Sequence, residues 1–244
     1  MGTGTDVGKT YVARQLARLY LELGGVCLAL KPIESGVELS PQLAPEGTPQ
    51  LSGDARALGE AASAGAAPLY GFRNPISPHL AARREQRAIE LGAVLAYVEQ
   101  EERRFLSDQT GTRNAGVHDH DLALPPLCLI ESAGGLFSPL SDMQNNWDLA
   151  QALAPDHLVL VAPDCLGVLH DIQATLRAIA PVLPQMLVMS EARQPDSSTG
   201  TNRAEVERVV LGQLGLRDKL PCLSCPRGGS LPKNAFDLLG ITPS

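Results

Sequence analysis

Short runs of consecutive apolar residues alternate along this chain with stretches in which apolar residues recur every three or four positions. The runs are Val26-Cys27-Leu28-Ala29-Leu30, Leu127-Cys128-Leu129-Ile130, His157-Leu158-Val159-Leu160-Val161-Ala162 and Met186-Leu187-Val188-Met189. Their length and near-unbroken apolar character are those of strands covered on both faces. Helical spacing is clearest over Tyr11–Leu21, where Val12, Leu16 and Leu19 fall on one stripe and Gly24-Gly25 supplies a stop. Strands alternating with crossover helices predict a doubly wound, mostly parallel α/β sheet with helices on both faces, forming a single domain over residues 1–244. Each run is followed by polar or Gly-rich residues, so a ligand crevice is expected at the strand C-terminal ends. Polar stretches at 37–53, 107–126 and 194–202 read as loops.

The segment before the first helix carries the first chemistry: Met1-Gly2-Thr3-Gly4-Thr5-Asp6-Val7-Gly8-Lys9-Thr10. A phosphate-binding loop wraps an anion in successive backbone N–H groups, its lysine reaches the β- and γ-phosphates, and the next hydroxyl binds Mg²⁺. Gly8-Lys9-Thr10 provides these parts, and the helix behind it turns its positive end toward the phosphates. Thr3 stands where the strict pattern has glycine, with glycines at 2 and 4 instead, so this is a variant loop in a P-loop NTPase type of fold. In that fold the loop is the exit from a central strand, yet only Met1 precedes Gly2 in the sequence as written. The expectation is that the first central strand is missing and that the sequence starts one strand late. About five buried aliphatic residues at ~1.5–3 kcal/mol each come to roughly 10 kcal/mol, comparable with the whole net stability of a domain.

With 244 residues, 44% of them hydrophobic, the chain can bury the core that one large α/β domain needs. A formal net charge of −7 argues against general nucleic-acid binding. No apolar run approaches the ~18 residues of a membrane span, and no basic and apolar leader is present. A cytoplasmic protein with neither nucleic-acid nor membrane partners is expected. Of Cys27, Cys128, Cys165, Cys222 and Cys225, three lie in or beside apolar runs and read as small buried hydrophobes in a reducing compartment. Cys222-Leu223-Ser224-Cys225 is a lone C-x-x-C without the second pair of a zinc site. His118-Asp119-His120-Asp121 has metal-binding residue types, but its Gly-, Asn- and Thr-rich surroundings mark a solvated surface loop.

Later segments end where a bound nucleotide would meet a second substrate. Lys31, in Lys31-Pro32-Ile33-Glu34-Ser35-Gly36, follows the run ending at Leu30 and would enter the crevice beside Lys9. Two ammonium groups there suit a polyphosphate and a second anionic group. Asp54 and Glu131, the latter directly after Ile130, are hard oxygen ligands of the kind Mg²⁺ accepts beside a phosphate-loop hydroxyl. Gly134-Gly135 permits close backbone approach to a ligand.

Together with Asn74-Pro75-Ile76-Ser77-Pro78-His79, Glu131-Ser132-Ala133-Gly134-Gly135 and Leu166-Gly167-Val168, the loop, Lys31 and Asp54 occur in the order and spacing of dethiobiotin synthetases, which the chain resembles over roughly residues 2–190. The resemblance implies an ATP-dependent cyclo-ligase of biotin biosynthesis. Such an enzyme uses ATP and Mg²⁺ to close a cyclic urea on 7,8-diaminononanoate with CO₂, through a carbamate and a carbamic-phosphoric anhydride. It implies that Gly4, Thr5, Asp6, Val7, Gly8, Lys9 and Thr10 bind the nucleotide and that Lys31, Lys9 and Thr5 are catalytic. Lys9 would neutralise the transferring phosphoryl group and Lys31 would stabilise the carbamate. Thr10, Asp54 and Glu131 would hold Mg²⁺, and Thr5, Asp6 and Ser35 would line the diamine and carbamate pocket. The substrate carboxylate would sit at Gly167-Val168-Leu169-His170 of a second subunit, which implies a homodimer.

The chain departs from the family pattern at particular residues. Ser132 follows Glu131 where Gly is usual, and His170 replaces a more usual Asn. Ser190 follows the last strand where the family commonly has an adenine-reading Asn, and a serine is too short for that bidentate contact. Two other readings compete. A partitioning-type or cobyrinate-amidating ATPase shares the variant loop, but the partitioning regulators carry an additional early lysine that Thr3-Gly4-Thr5 lacks. A catalytically impaired dimeric homologue fits the missing strand and Ser190, and is opposed by the intact Lys9, Thr10, Lys31, Asp54 and Glu131.

Overall fold

A computed structural model of the protein describes residues 1–37, 53–113 and 124–242. The first helix, α1 (Lys9–Glu22), buries Val12, Ala13, Leu16, Ala17, Leu19 and Tyr20. It stops where Gly24 takes a left-handed φ of 85° and the Gly25 N–H donates to Tyr20 O at 3.0 Å. Next come β1 (Cys27–Leu30), β2 (Ile33–Ser35), α2 (Gly53–Gly59), β3 (Ala64–Gly65), β4 (Tyr70–Phe72), α3 (Pro78–Arg84) and α4 (Leu91–Arg113). The second half holds β5 (Leu127–Ile130), α5 (Asn146–Leu153), β6 (Val159–Asp164), α6 (Val168–Ile179) and β7 (Met186–Glu191). After them lie α7 (Asn202–Glu205), a π turn, α8 (Leu211–Leu214) and β8 (Cys222–Cys225).

All strand pairings between these elements are parallel, in the orders β3-β1-β5, β2-β4 and β6-β7-β8. Alternate residues of β7 serve opposite faces: Met186 and Val188 pack with Val12 and Leu16 of α1. Leu187 and Met189 pack with Ile172 and Leu176 of α6. Helices therefore cover both faces of a parallel sheet, the doubly wound α/β arrangement of P-loop proteins that the apolar runs predict.

The elements differ from the sequence reading at several boundaries. α4 runs to Arg113, so 107–113 is helix rather than loop; residues 114–123, His118–Asp121 included, lie outside the described residues, as does 38–52. Extending an existing helix fixes one residue per bond, so modest formers such as Ser107 are carried along. The segment after Lys31 contains a strand, and Cys222–Cys225 is β8, held against β7 with Ser190 opposite Cys225. The stretch 194–202 is a tied turn: Asp164 accepts from Gly200 N (2.9 Å) and Asn202 Nδ2 (2.8 Å), while Thr199 Oγ1 donates to Asp164 O (2.9 Å).

The two three-stranded halves are separated by a gap. Among the described residues, β5 pairs with β1 and no strand covers its other edge. On the far side of the gap, Met1–Thr3 lies along β6, with Met1 N donating to Val159 O (3.0 Å), Val161 N to Met1 O (3.0 Å) and Thr3 N to Val161 O (2.9 Å).

Candidate active site

The loop owes its shape to what lies beneath it. Val7 points inward and is buried in the core beside Val12 and Leu16, while Asp6 (φ 57°) and Gly8 (φ 93°) take left-handed backbone conformations. A Cβ on Gly8 would stand 2.1 Å from Ser190 Oγ. Glycine is therefore required there twice over, by φ and by the strand end below. Ser190 is itself buried and paired within the sheet opposite Pro163 and Cys225, so it supports the loop from below.

Lys9 curls back over the loop and donates to Gly4 O at 2.9 Å. Burial lowers its pKa; the Glu131 carboxylate counteracts this and the nearby Lys31 ammonium adds to it. Among the described residues this ammonium has no ion-pair partner, and a bound polyphosphate would supply one.

The parallel register of β1 and β5 sets the second half of the site. Leu30 stands opposite Ile130, and Glu131 N donates to Leu30 O at 2.8 Å, so the next residues, Lys31 and Glu131, emerge side by side. Lys31 Nζ donates to Glu131 Oε1 at 2.8 Å and also to Asp54 Oδ2. Thr10 Oγ1 donates to the same Glu131 oxygen at 2.8 Å. Burial alone would lower the Lys31 pKa, but Glu131 and Asp54 together outweigh it and hold the value above that of a free lysine.

Asp54 reaches this cluster because of a residue to which the sequence reading assigned no role. Glu34, on β2 and buried, accepts from Asp54 N (2.8 Å) and Ala55 N (3.1 Å), satisfying orphan donors of the first turn of α2. Behind Glu131, the turn through Gly135 is held by buried Asn146, whose Nδ2 donates to Ala133 O (2.6 Å) and Gly135 O (2.9 Å).

Thr5, Asp6, Gly8, Lys9, Thr10, Lys31, Ser35, Asp54 and Glu131 line one cavity of about 1300 Å³ of atom-free space. Gly4 borders it through its carbonyl, and Val7 is turned away into the core. Gly167-Val168-Leu169-His170 does not line it: Gly167, with φ 97°, precedes α6 and Leu166 before it is 84% exposed. The cavity also contains Arg193 and Arg227, which sequence reasoning missed. Both follow strand ends, and reading Cys222–Cys225 as a strand would have placed Arg227 in the crevice. Tyr11 was legible only as a helix residue. Its hydroxyl donates to Pro226 O (2.8 Å) and accepts from Gly228 N (3.0 Å), which fixes the Arg227 loop over α1.

The cysteines among the described residues are free thiols. Burial pushes Cys222 up to about 12 and Cys225 up to about 11, so both stay protonated at neutral pH. Among the described residues, no group of three or more His, Cys, Asp and Glu side chains is gathered as a metal site. No helix there is long and apolar enough to cross a membrane.

A phosphate loop rising from the C-terminal edge of a doubly wound parallel sheet, with a buried lysine between carboxylates opposite it, makes this a nucleotide-dependent α/β enzyme of the P-loop class. The family model described as AAA domain matches residues 1–220. The chain is 30% identical over 237 residues to the ATP-dependent dethiobiotin synthetase BioD of Caulobacter sp. (strain K31), covering 96% of this chain and 90% of that protein. It is 34% identical over 217 residues to the protein of the same name from Anaeromyxobacter sp. (strain Fw109-5), covering 86% and 83%. It therefore belongs to the ATP-dependent dethiobiotin synthetase family, and it is an ATP-dependent ligase.

Proposed function

We propose that the protein carboxylates 7,8-diaminononanoate with CO₂ and closes the product to dethiobiotin at the expense of ATP. The observation that carries this reading is Lys31: a buried ammonium at the floor of the cavity, across from the phosphate loop, where an anion formed from the second substrate would meet the γ-phosphate. An amine of the diamine attacks CO₂ and loses a proton to give a carbamate, whose charge Lys31 stabilises. A carbamate oxygen attacks the γ-phosphorus and ADP leaves, with Lys9 and the loop N–H groups taking up charge on the transferring group. The second amine attacks the carbamoyl carbon, phosphate departs, and the cyclic urea is formed.

Ser35 Oγ is buried without a hydrogen-bond partner among the described residues and borders the cavity, so it is available to the diamine or carbamate with Thr5 and Asp6. Thr10, Asp54 and Glu131 would hold Mg²⁺. Their hydroxyl and carboxylate oxygens are the donor types it selects, and Glu131 Oε2 is buried without a partner among the described residues. The ion would supply neutralisation of phosphate charge. Arg193 and Arg227 line the same cavity and would add positive charge beside a bound nucleotide.

The reading extends to a cytoplasmic homodimer in which residues 1–244 act as one domain and the Gly167–His170 turn completes the partner's cavity. The exposure of Leu166 and the position of that turn outside the chain's own cavity support the dimer. The test is phosphate release from ATP. It is expected only when diaminononanoate and bicarbonate are both present; release without the diamine, or none at all, overturns the reading. A dimer mass in light scattering is expected, and a monomer at micromolar concentration overturns that part.

A further inference from the structure

The turn that carries Arg227 is tied down at each of its N–H groups. It follows β8 and runs Pro226-Arg227-Gly228-Gly229, with Gly229 N donating to Pro226 O at 3.1 Å. Gly228 has a φ of 72°, the positive value that the third position of a type II turn requires. Arg227 N donates to Glu191 Oε2 at 2.9 Å, and Gly228 N donates to Tyr11 Oη at 3.0 Å. The Tyr11 hydroxyl in turn donates to Pro226 O at 2.8 Å, with Gly229 O at 3.3 Å as a longer second acceptor. One phenol therefore clasps the turn as donor and acceptor at once, and it stands on α1 directly after Thr10 of the phosphate loop.

With these N–H groups engaged, the turn has none left to wrap an anion in the manner of a phosphate loop. What it offers the cavity is the Arg227 side chain. That guanidinium is exposed, lines the cavity, and makes neither a hydrogen bond nor an ion pair among the described residues. The same holds for Arg193, which follows the adjacent strand β7. The other cations of the cavity are occupied: Lys31 by Asp54 and Glu131, Lys9 by Gly4 O. The phosphate loop lies over the end of β7, with Ser190 beneath Gly8, so the turns that follow β7 and β8 flank it. A guanidinium presents a rigid fork of donors that matches phosphate oxygens in pairs. Fixing the backbone that bears it lowers the ordering cost of binding.

We propose that Arg227 is a phosphate-binding residue of the nucleotide site and that Tyr11, through its hydroxyl, is the residue that positions it. The proposal rests on the nucleotide reading of this cavity and deepens it, but it does not depend on the diamine or the carbamate.

The test is calorimetry in the absence of diamine and bicarbonate, with inorganic tripolyphosphate, adenosine and ATP as ligands. Arg227→Gln is expected to weaken tripolyphosphate and ATP by about tenfold or more and to leave adenosine unchanged. Arg227→Lys should recover part of that loss, as a point charge without the fork. Tyr11→Phe keeps the ring and loses the clasp, so tripolyphosphate should weaken by about three- to fivefold. Added to Arg227→Gln, the same change should weaken it no further. Glu191→Ala, which releases Arg227 N from the other side of the turn, gives a second comparison with the same expected outcome. Tripolyphosphate binding that Arg227→Gln leaves unchanged overturns the proposal. So does a loss confined to adenosine, which would assign the guanidinium to the base. Additive losses in the double variants overturn the positioning role of Tyr11. All of these are read without turnover, so a protein that failed to form dethiobiotin would still return one outcome or the other.

Discussion

Lys31 Nζ and Glu131 Oε1 lie 2.8 Å apart, each buried, at the ends of two adjacent parallel strands. The same ammonium bridges to Asp54, so in this structure one lysine neutralises both carboxylates proposed for Mg²⁺.

Replacing Lys31 by Met therefore has two separable effects. Turnover is expected to fall by about 100-fold or more, since the ammonium proposed to stabilise the carbamate is removed, while ATP affinity stays within about threefold. Removal of the ammonium also frees Asp54 and Glu131, so Mn²⁺ titrated alone and followed by electron paramagnetic resonance should bind the variant more tightly than the wild type. Weaker Mn²⁺ binding, or equal loss of ATP binding, would assign Lys31 to the phosphate site.

Glu34 acts at one remove, through the two N–H groups of α2 that it accepts. Glu34→Ala is expected to cost about 1–2 kcal/mol of stability in urea unfolding and to lower kcat about tenfold while the ATP Kd is retained. A fall in ATP affinity matching the fall in kcat would show that Glu34 supports the loop instead of Asp54.

Gly8 and Ser190 should couple strongly. Gly8→Ala places a methyl against Ser190 Oγ and strains a left-handed residue, so ATP binding is expected to weaken by about 100-fold or more. In the double variant with Ser190→Gly the steric part is relieved and the φ strain remains, so part of the binding returns. Calorimetry on the four-member cycle measures the coupling, and strict additivity would remove the contact from the account.

Much of this architecture could be read from the sequence because long apolar runs and a 3.6-residue period survive any tertiary context. The runs at 26–30, 127–130 and 186–189 and the helix after the loop fall where their patterns put them. The short strands were hidden. Ile33-Glu34-Ser35 contains a buried carboxylate that no propensity favours in a strand, and it is there because two helix-end N–H groups need an acceptor. Cys222-Leu223-Ser224-Cys225 drew attention as a redox or metal pattern, which masked a short apolar run between prolines. The cavity residues Lys9, Thr10, Lys31, Asp54 and Glu131 were legible through residue type and order. Arg193, Arg227 and the Tyr11 anchor were not, since their positions depend on where strands end and on a contact spanning over 200 residues of sequence.

The turn after Glu131 and the phosphate loop meet backbone to backbone: a Cβ on Gly135 would lie 2.9 Å from Gly4 Cα, and Leu136 N donates to Gly2 O at 2.8 Å. With no side chain between them to yield, neither can shift without carrying the other. The nucleotide end and the carboxylate end of the cavity thus form one mechanical part, and a length change in either loop would have to be matched in the other for both to remain in register.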